Sequence, residues 1–175
     1  MPHKILVAVD RSENGEKVID AAIALAKAMG ASLMLLHVLS SEEKDCPQMP
    51  LMTALQYYPI EKKLFEEYHQ QWQIYEKQGM EMLRSYTAKA KAEGAIAEFT
   101  QSFGNPGRTI CDMAQTWGAD SIVIGHRGYS GLKELVLGSV SNYVLHHTPC
   151  SVFTVKGQIQ NDPNTSQEKQ AAIAS

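Results

Sequence analysis

Hydrophobic residues form two alternating kinds of pattern along this chain. Short, nearly continuous apolar runs alternate with longer segments in which apolar residues recur at every third or fourth position. A continuous apolar run predicts a strand that is covered on both faces, as the strands of parallel sheets are. The three-to-four spacing predicts amphipathic helices. The chain is therefore predicted to alternate between strands and helices over most of its length.

The pattern predicts five strands and four helices. The strands are expected at residues 4–10, 32–39, 95–101, 120–125 and 151–155, and the helices at 13–29, 60–93, 106–117 and 139–147. Ser12 is a candidate cap for the first helix, and Gly30 is suited to end it. We therefore expect an α/β fold, a single domain with a five-stranded parallel sheet and helices on both faces. Ligands of such sheets bind outside the carboxyl ends of the strands, where the strand order reverses.

The segment between the second strand and the second helix differs from the rest. Residues 40–59 contain three prolines and many apolar side chains, and a long loop of this kind is often functional. The helix that follows would be about 50 Å long, longer than the strands beside it. We therefore expect residues 45–65 to overhang the ligand site or a dimer surface, through Leu51, Leu55 and Tyr58. The aromatic stripe of the helix is expected to pack on the sheet: Tyr68, Trp72, Tyr75, Gly79, Met82, Tyr86 and Ala90.

Composition and charge narrow the classes of function. The chain has 175 residues, enough for one domain with a full core, which we expect over residues 1–157, before a polar and mobile tail over 158–175. A net charge of -3 with scattered basic residues argues against nucleic-acid binding. We expect no membrane span and no signal peptide. Three separated cysteines predict reduced thiols in a cytoplasmic protein: Cys46, Cys111 and Cys150.

The stretch from Gly125 to Ser141 carries the clearest chemistry. Gly125 closes a predicted strand, and Gly138 and Ser139 open a predicted helix. Glycines let a backbone approach phosphates closely, and the first amides of a helix bind anions. Ser139 and Ser141 would add hydroxyl donors, while Arg127 would either pair with a phosphate or stay solvated. The spacing fits neither the Walker A loop nor the dinucleotide fingerprint, so an ordinary turn remains the alternative at this point.

Several motifs together resemble one family. The spacing Gly125-x2-Gly128-x9-Gly138-Ser139 is similar to the nucleotide-binding signature of the ATP-binding branch of the universal stress protein family. The first strand ending in Asp10, the turn at residues 104–110 and the approach to the last strand at 147–152 also resemble this family. The resemblance implies the strand order 3-2-1-4-5, which places Asp10 beside Gly125 where the order reverses.

The resemblance also implies roles for individual residues. Asp10 would accept hydrogen bonds from the ribose hydroxyls, and Val38 would offer backbone groups to the adenine. The ligand would be ATP or a related adenine nucleotide, with Mg²⁺ or Mn²⁺ held by the phosphates. The family further implies a homodimer, and the apolar edge strand at 151–155 is the expected contact between the two copies. The phosphates would lie against Gly125, Gly128, Gly138, Ser139, Val140 and Ser141, with Arg127 beside them.

Two classes of function are consistent with these features. The leading hypothesis is a stress-response regulatory protein whose nucleotide occupancy controls the binding of a partner protein. The alternative is an enzyme, either a slow ATPase with His126 as its base or a nucleotide-transferring enzyme. Residues 126–141 contain one acid, Glu134, so we expect hydrolysis to be slow or absent. His37 lies in an apolar strand and is expected to be a core histidine rather than a ligand.

Overall fold

A five-stranded parallel sheet forms the centre of the molecule. The structure, a computed structural model, describes residues 3–41, 43, 45–49, 58–126 and 138–156. The strands are β1 (Lys4–Ala8), β2 (Ser32–Leu39), β3 (Ile96–Phe103), β4 (Ser121–His126) and β5 (Ser151–Lys156). All neighbours pair in parallel, in the order β3-β2-β1-β4-β5. The predicted sheet and its strand order are therefore confirmed.

In the part of the chain that the structure describes, four helices connect the strands: α1 (Gly15–Met29), α2 (Tyr58–Ala92), α3 (Pro106–Trp117) and α4 (Ser139–His147). The prediction that Ser12 caps α1 was wrong, because Asn14 occupies the N-cap position. Both the N–H and the hydroxyl of Ser12 donate to the Asp10 carboxylate, so the turn continues past Ser12 before the helix starts. Gly30 ends α1 as predicted, with a φ of 62°.

The helices cover both faces of the sheet, as predicted. On one face α1 and α2 contribute residues such as Ile19 and Leu83 to the core. On the other face α3 and α4 contribute residues such as Ile110 and Val144. The central strand β1 is thus covered on both sides, which explains its continuous apolar run. Its middle residues are fully buried: Ile5, Leu6 and Val7.

The long helix α2 approaches the sheet most closely at Gly79. The predicted stripe does face the sheet, since Tyr75 and Ala90 are buried there. A Cβ atom added at Gly79 would meet the His37 ring at 2.6 Å and would come closer still to the side-chain oxygen of Gln101. Glycine at this position therefore allows the helix backbone to rest directly on two polar side chains of β2 and β3.

The N-terminal part of α2 is the part that exceeds the sheet. At 1.5 Å per residue the helix is about 50 Å long, roughly twice the length of β3. Its last residues lead into β3 at the amino edge, so the excess length lies toward the carboxyl edge. Leu51 and Leu55 fall outside the described residues, so their contacts stay a prediction, as do those of Tyr58, the first residue of the helix.

Two further expectations from the sequence concern a membrane span and the C-terminal tail. None of the helices within the described ranges combines the length and the apolar character that crossing a membrane requires. Residues 158–175, expected to be a tail, lie outside those ranges.

Gly79→Ala should destabilise the fold, although alanine is the better helix former by about 1 kcal/mol. The added methyl group has to displace His37 and Gln101, and overpacking of this kind costs about 1–3 kcal/mol. Together these two effects should lower the free energy of unfolding in urea by up to about 2 kcal/mol. Ser85→Ala, at an exposed position of the same helix, is the matched control and should change it by less than about 0.5 kcal/mol. A Gly79→Ala protein more stable than the wild type by about 1 kcal/mol, the gain from helix propensity alone, would contradict the close packing.

Candidate functional site at the carboxyl edge of the sheet

A cleft opens at the carboxyl edge of the sheet, where β1 ends. The pairing of β1 with β2 on one side and β4 on the other reverses the strand order at this point. Arg127 and Gly128, two of the nine predicted site residues, lie outside the described residues. The structure brings the other seven together around this one cleft: Asp10, Val38, Gly125, Gly138, Ser139, Val140 and Ser141.

Asp10 stands at the mouth of the cleft, just after the end of β1. Its Oδ1 accepts from the Ser12 N–H at 3.1 Å and from the Ser12 hydroxyl at 2.5 Å. This short turn is built from residues two apart, which is a local bond that aspartate readily makes. The carboxylate is thereby held in one orientation at the edge of the sheet.

Val38 turns its backbone groups toward the cleft. The Val9 N–H donates to Leu36 O at 3.0 Å, so the backbone groups of Leu36 face β1. Alternate residues of a strand direct these groups to opposite sides, so those of Val38 face the same way as those of Leu36. Leu39 O accepts from the Gly104 N–H at 3.1 Å on the β3 side, which confirms the alternation. The end of β2 thus presents an N–H and a C=O side by side to the cleft.

The start of α4 forms the opposite wall of the cleft. Gly138 occupies the N-cap position, and the Asn142 N–H is bonded to Gly138 O at 2.9 Å. The amides of the three preceding residues have no carbonyl a turn earlier in the helix to bond to, and amides in this position attract anions. The buried Ser141 donates its hydroxyl to Gly138 O at 3.0 Å, so it braces the turn rather than offering the expected donor. Ser139 is exposed, and its hydroxyl can face a ligand.

A family match covers this whole arrangement. Residues 1–156, which include all five strands and every described residue that lines the cleft, match the model of the Universal stress protein family. This chain belongs to the universal stress protein family. The resemblance drawn from the glycine spacing and from Asp10 is confirmed at the level of the family.

Relatives of this universal stress protein are similar to it over nearly their whole length. The universal stress protein Sll1388 of Synechocystis is 38% identical over 156 residues, which are 87% of this chain and 97% of the relative. The universal stress protein YxiE of Bacillus subtilis is 35% identical over 156 residues, 89% of this chain and 100% of the relative. The solved universal stress protein of Archaeoglobus fulgidus in complex with dAMP has the same fold. It superposes with a TM-score of 0.56 at 24% identity, covering 88% of this chain and 98% of that one.

In this member of the family, Asn14 is a cleft residue that the sequence did not reveal. It lies between α1 and the far end of β5, where its Nδ2 donates to Val155 O at 3.3 Å. Its Oδ1 is buried and meets no partner among the residues that the structure describes. Asparagine is a common N-cap, and that preference was the available signal. Its contact with β5 depends on the strand order and could not be read locally.

Glu43 also lines the cleft, and a buried network holds it there. Glu43 Oε1 lies 3.2 Å from Nε2 of His37, and its Oε2 accepts from the Tyr75 hydroxyl. The other ring nitrogen of His37, Nδ1, lies 3.2 Å from Oε1 of Gln101. His37 is fully buried with both ring nitrogens partnered, which confirms its prediction as a core histidine. The network ties the segment after β2 to α2 and β3.

The buried Tyr75 of this network makes the stability of the fold depend on pH in the alkaline range. Burial, with the hydrogen bond to Glu43 next in importance, raises the pKa of Tyr75 above its ordinary value of 10.0. In the unfolded chain Tyr75 therefore loses its proton first, so stability falls as the pH rises past about 10. Urea denaturation from pH 8 to 11 should show a steeper loss for the wild type than for Tyr75→Phe. Equal slopes above about pH 10 would contradict the buried state of this hydroxyl.

Proposed function

We propose that this universal stress protein binds ATP, or a related adenine nucleotide, in the cleft, and that its occupancy controls binding to a partner protein in the stress response. One observation carries the proposal, namely the order of three kinds of group across the cleft. The first is an N–H and C=O pair at the end of β2. The second is a carboxylate after β1, and the third is a helix N-terminus beyond β4. A nucleotide presents a base, a sugar and phosphates in the same order.

The chemistry of each group suits the part of the nucleotide that would meet it. Adenine carries a donor beside an acceptor on its edge, which matches the paired backbone groups of Val38. The ribose hydroxyls are donors, which matches the carboxylate of Asp10. Neighbouring strands are about 4.8 Å apart, so β2, β1 and β4 set these groups across roughly 10 Å. That span is on the scale of a nucleoside.

The phosphates would rest on backbone groups rather than on a cluster of cations. Among the described lining residues none is a lysine or arginine, whereas Gly138, Ser139, Val140 and Ser141 open α4 beside Gly125. The proposal adds Gly128 and Arg127 from the segment that follows β4. No three His, Cys, Asp or Glu side chains of the described ranges come together as a metal site. Mg²⁺ or Mn²⁺ would therefore enter with the phosphates, partly neutralising their charge.

Two further observations support the proposal. A universal stress protein of the same fold is known in complex with dAMP, which favours an adenine nucleotide for this chain. The second observation bears on location: the three cysteines are free, as is usual in a reducing compartment, so we propose that the protein acts in the cytoplasm.

Asp10→Ala should weaken the binding of ATP. The substitution removes a charged acceptor, and a hydrogen bond of that kind is worth about 1.5–3 kcal/mol, or about tenfold to a hundredfold in affinity. Calorimetric titration with ATP in the presence of magnesium measures the change directly. Asp112→Ala removes the same charge from an exposed position on α3 and is the matched control, with unchanged affinity expected. Equal affinity of the Asp10→Ala and wild-type proteins would refute the assignment of the ribose.

We also propose a homodimer that forms through β5. Among the described residues this strand is an edge of the sheet, as expected from the sequence, and its one neighbour is β4. It carries a large exposed apolar side chain, Phe153, with 40% of its surface accessible. An apolar sheet edge favours pairing, and a second copy related by a two-fold axis is a self-complementary partner.

Phe153→Glu should convert the dimer to a monomer. Two-fold symmetry brings the two introduced carboxylates near one another in an apolar contact, where both charge repulsion and desolvation oppose association. Light scattering at micromolar concentration should report the mass of one chain for this variant and of two for the wild type. Ile96→Glu places the same charge on the opposite edge strand, β3, at a side chain that is 73% exposed, and should stay dimeric. A monomeric wild type, or dissociation caused by Ile96→Glu, counts against the contact through β5.

A further inference from the structure

One carboxylate stands at the end of the cleft where the base would lie. Glu43 follows Val38 by five positions, and both line the cleft together with Ser40. The side chain of Glu43 is 13% exposed. The lining around these residues is mostly apolar, with contributions from Ala8, Leu36, Pro106 and Ile110. Among the described lining residues, Asp10 is the other acid, and it follows β1, where the ribose is proposed to lie.

The partners of Glu43 determine what it can offer to a ligand. Gln101 Nε2 donates to Glu76 O at 3.2 Å, which fixes the amide so that its oxygen faces His37 Nδ1. Nδ1 therefore carries a proton, which it donates to Gln101. A second proton lies between His37 Nε2 and Glu43 Oε1, because one of these two atoms must donate to the other.

Glu43 therefore has no proton left for the cleft. The proton on its Oε1 side lies between the carboxyl group and His37, and its Oε2 receives a proton from the Tyr75 hydroxyl. A carboxyl group with two oxygens has about four acceptor sites, so two partners leave acceptor sites unused. Because Glu43 lines the cleft, it can meet a ligand there only as a hydrogen-bond acceptor, held in place by buried side chains.

We propose that Glu43 selects the base by accepting a hydrogen bond from an exocyclic amino group, so that the site prefers a 6-aminopurine to a 6-oxopurine. The inference rests on the proposed nucleotide site and assigns a specificity residue to it. A 6-amino group has two hydrogens, one for Val38 O and one for Glu43. A 6-oxo group would set an acceptor against acceptors in a poorly hydrated pocket, which is strongly unfavourable.

A purely structural role for Glu43 makes a different prediction. If Glu43 served only as the partner of His37, the choice of base would not depend on its carboxylate. Tyr75→Phe separates the two roles, because it removes one bond of the network and leaves the carboxylate in place. Glu43→Gln keeps the shape of the side chain and introduces an N–H group that a 6-oxo base can use.

The test is a calorimetric comparison of three nucleotides that differ only around the 6-position of the purine: ATP, purine riboside 5′-triphosphate and ITP. Wild-type protein should bind ATP most tightly, the 6-unsubstituted nucleotide less tightly and ITP least. Glu43→Gln should reduce the preference for ATP over ITP by about tenfold or more, leaving the part that the Val38 backbone supplies. Tyr75→Phe should keep the wild-type preference, and thermal unfolding checks that each variant is folded.

Each other outcome has a distinct meaning. A wild type that binds ATP and ITP equally, or a Glu43→Gln protein with an unchanged preference, overturns the inference and leaves the proposed function standing. An equal loss of preference in Tyr75→Phe also overturns it, because the effect would then come from the packing of the network. A folded wild type that binds none of the three nucleotides overturns the proposed function, and this inference with it.

Discussion

The departure of the chain from the sheet after β1 is the constraint on which the rest of the site depends. β1 is the central strand, and it ends at Ala8 while β2 continues to Leu39 and β4 to His126. The backbone groups of Val38 consequently face the place that a longer β1 would have filled. Nearly every N–H and C=O group that is buried in a protein has a hydrogen-bond partner. The N–H and C=O of Val38, at this open edge of the sheet, are therefore suited to binding a ligand. The turn at Asp10 and Ser12 fills the start of the same gap with a fixed carboxylate.

The buried polar network links that open edge to the packing of α2. Burying polar groups is favourable only when they are hydrogen-bonded, and in this network His37 meets a partner at each ring nitrogen. Gly79 lets α2 rest on His37 and Gln101, and Tyr75 of the same helix reaches the carboxyl group of Glu43. One acceptor in the cleft is therefore linked, through His37 and Tyr75, to the packing of α2 on β2 and β3. A well-satisfied network of this kind is rigid, which suits a group that must discriminate between ligands.

The sequence predicted the elements whose ends carry local signals. Asn105 caps α3 by accepting from the Arg108 N–H, Pro106 follows it, and Gly118 ends the helix in the left-handed region, so the predicted bounds of α3 were correct. Strand lengths were less predictable, because they depend on neighbours. β1 stops two residues earlier than predicted and β3 continues two residues further, to Phe103, beside the extended β2.

The residues of the candidate site also divide into those that the sequence could reveal and those that depend on distant parts of the chain. Asp10 and Gly138 could be found because they belong to two motifs that resemble those of the family, the end of the first strand and the glycine spacing. Glu43 lies in an irregular segment without periodicity, and one of its partners, Tyr75, is 32 residues away. The orientation of the Ser141 hydroxyl toward Gly138 is a rotamer choice that no spacing encodes. Arg127 and Gly128 stay predictions.

The central claim, that an adenine nucleotide spans the cleft from β2 to α4, is tested most directly by amide resonances during a titration with ATP. We expect large shifts at the N–H groups of Val38 and of Ser139, Val140 and Ser141, which lie at the two ends of the cleft. The amides of Ser32 and Ser121, at the amino edge of the sheet, should not move. Saturable shifts confined to any other surface, or no shifts at millimolar ATP, would contradict it.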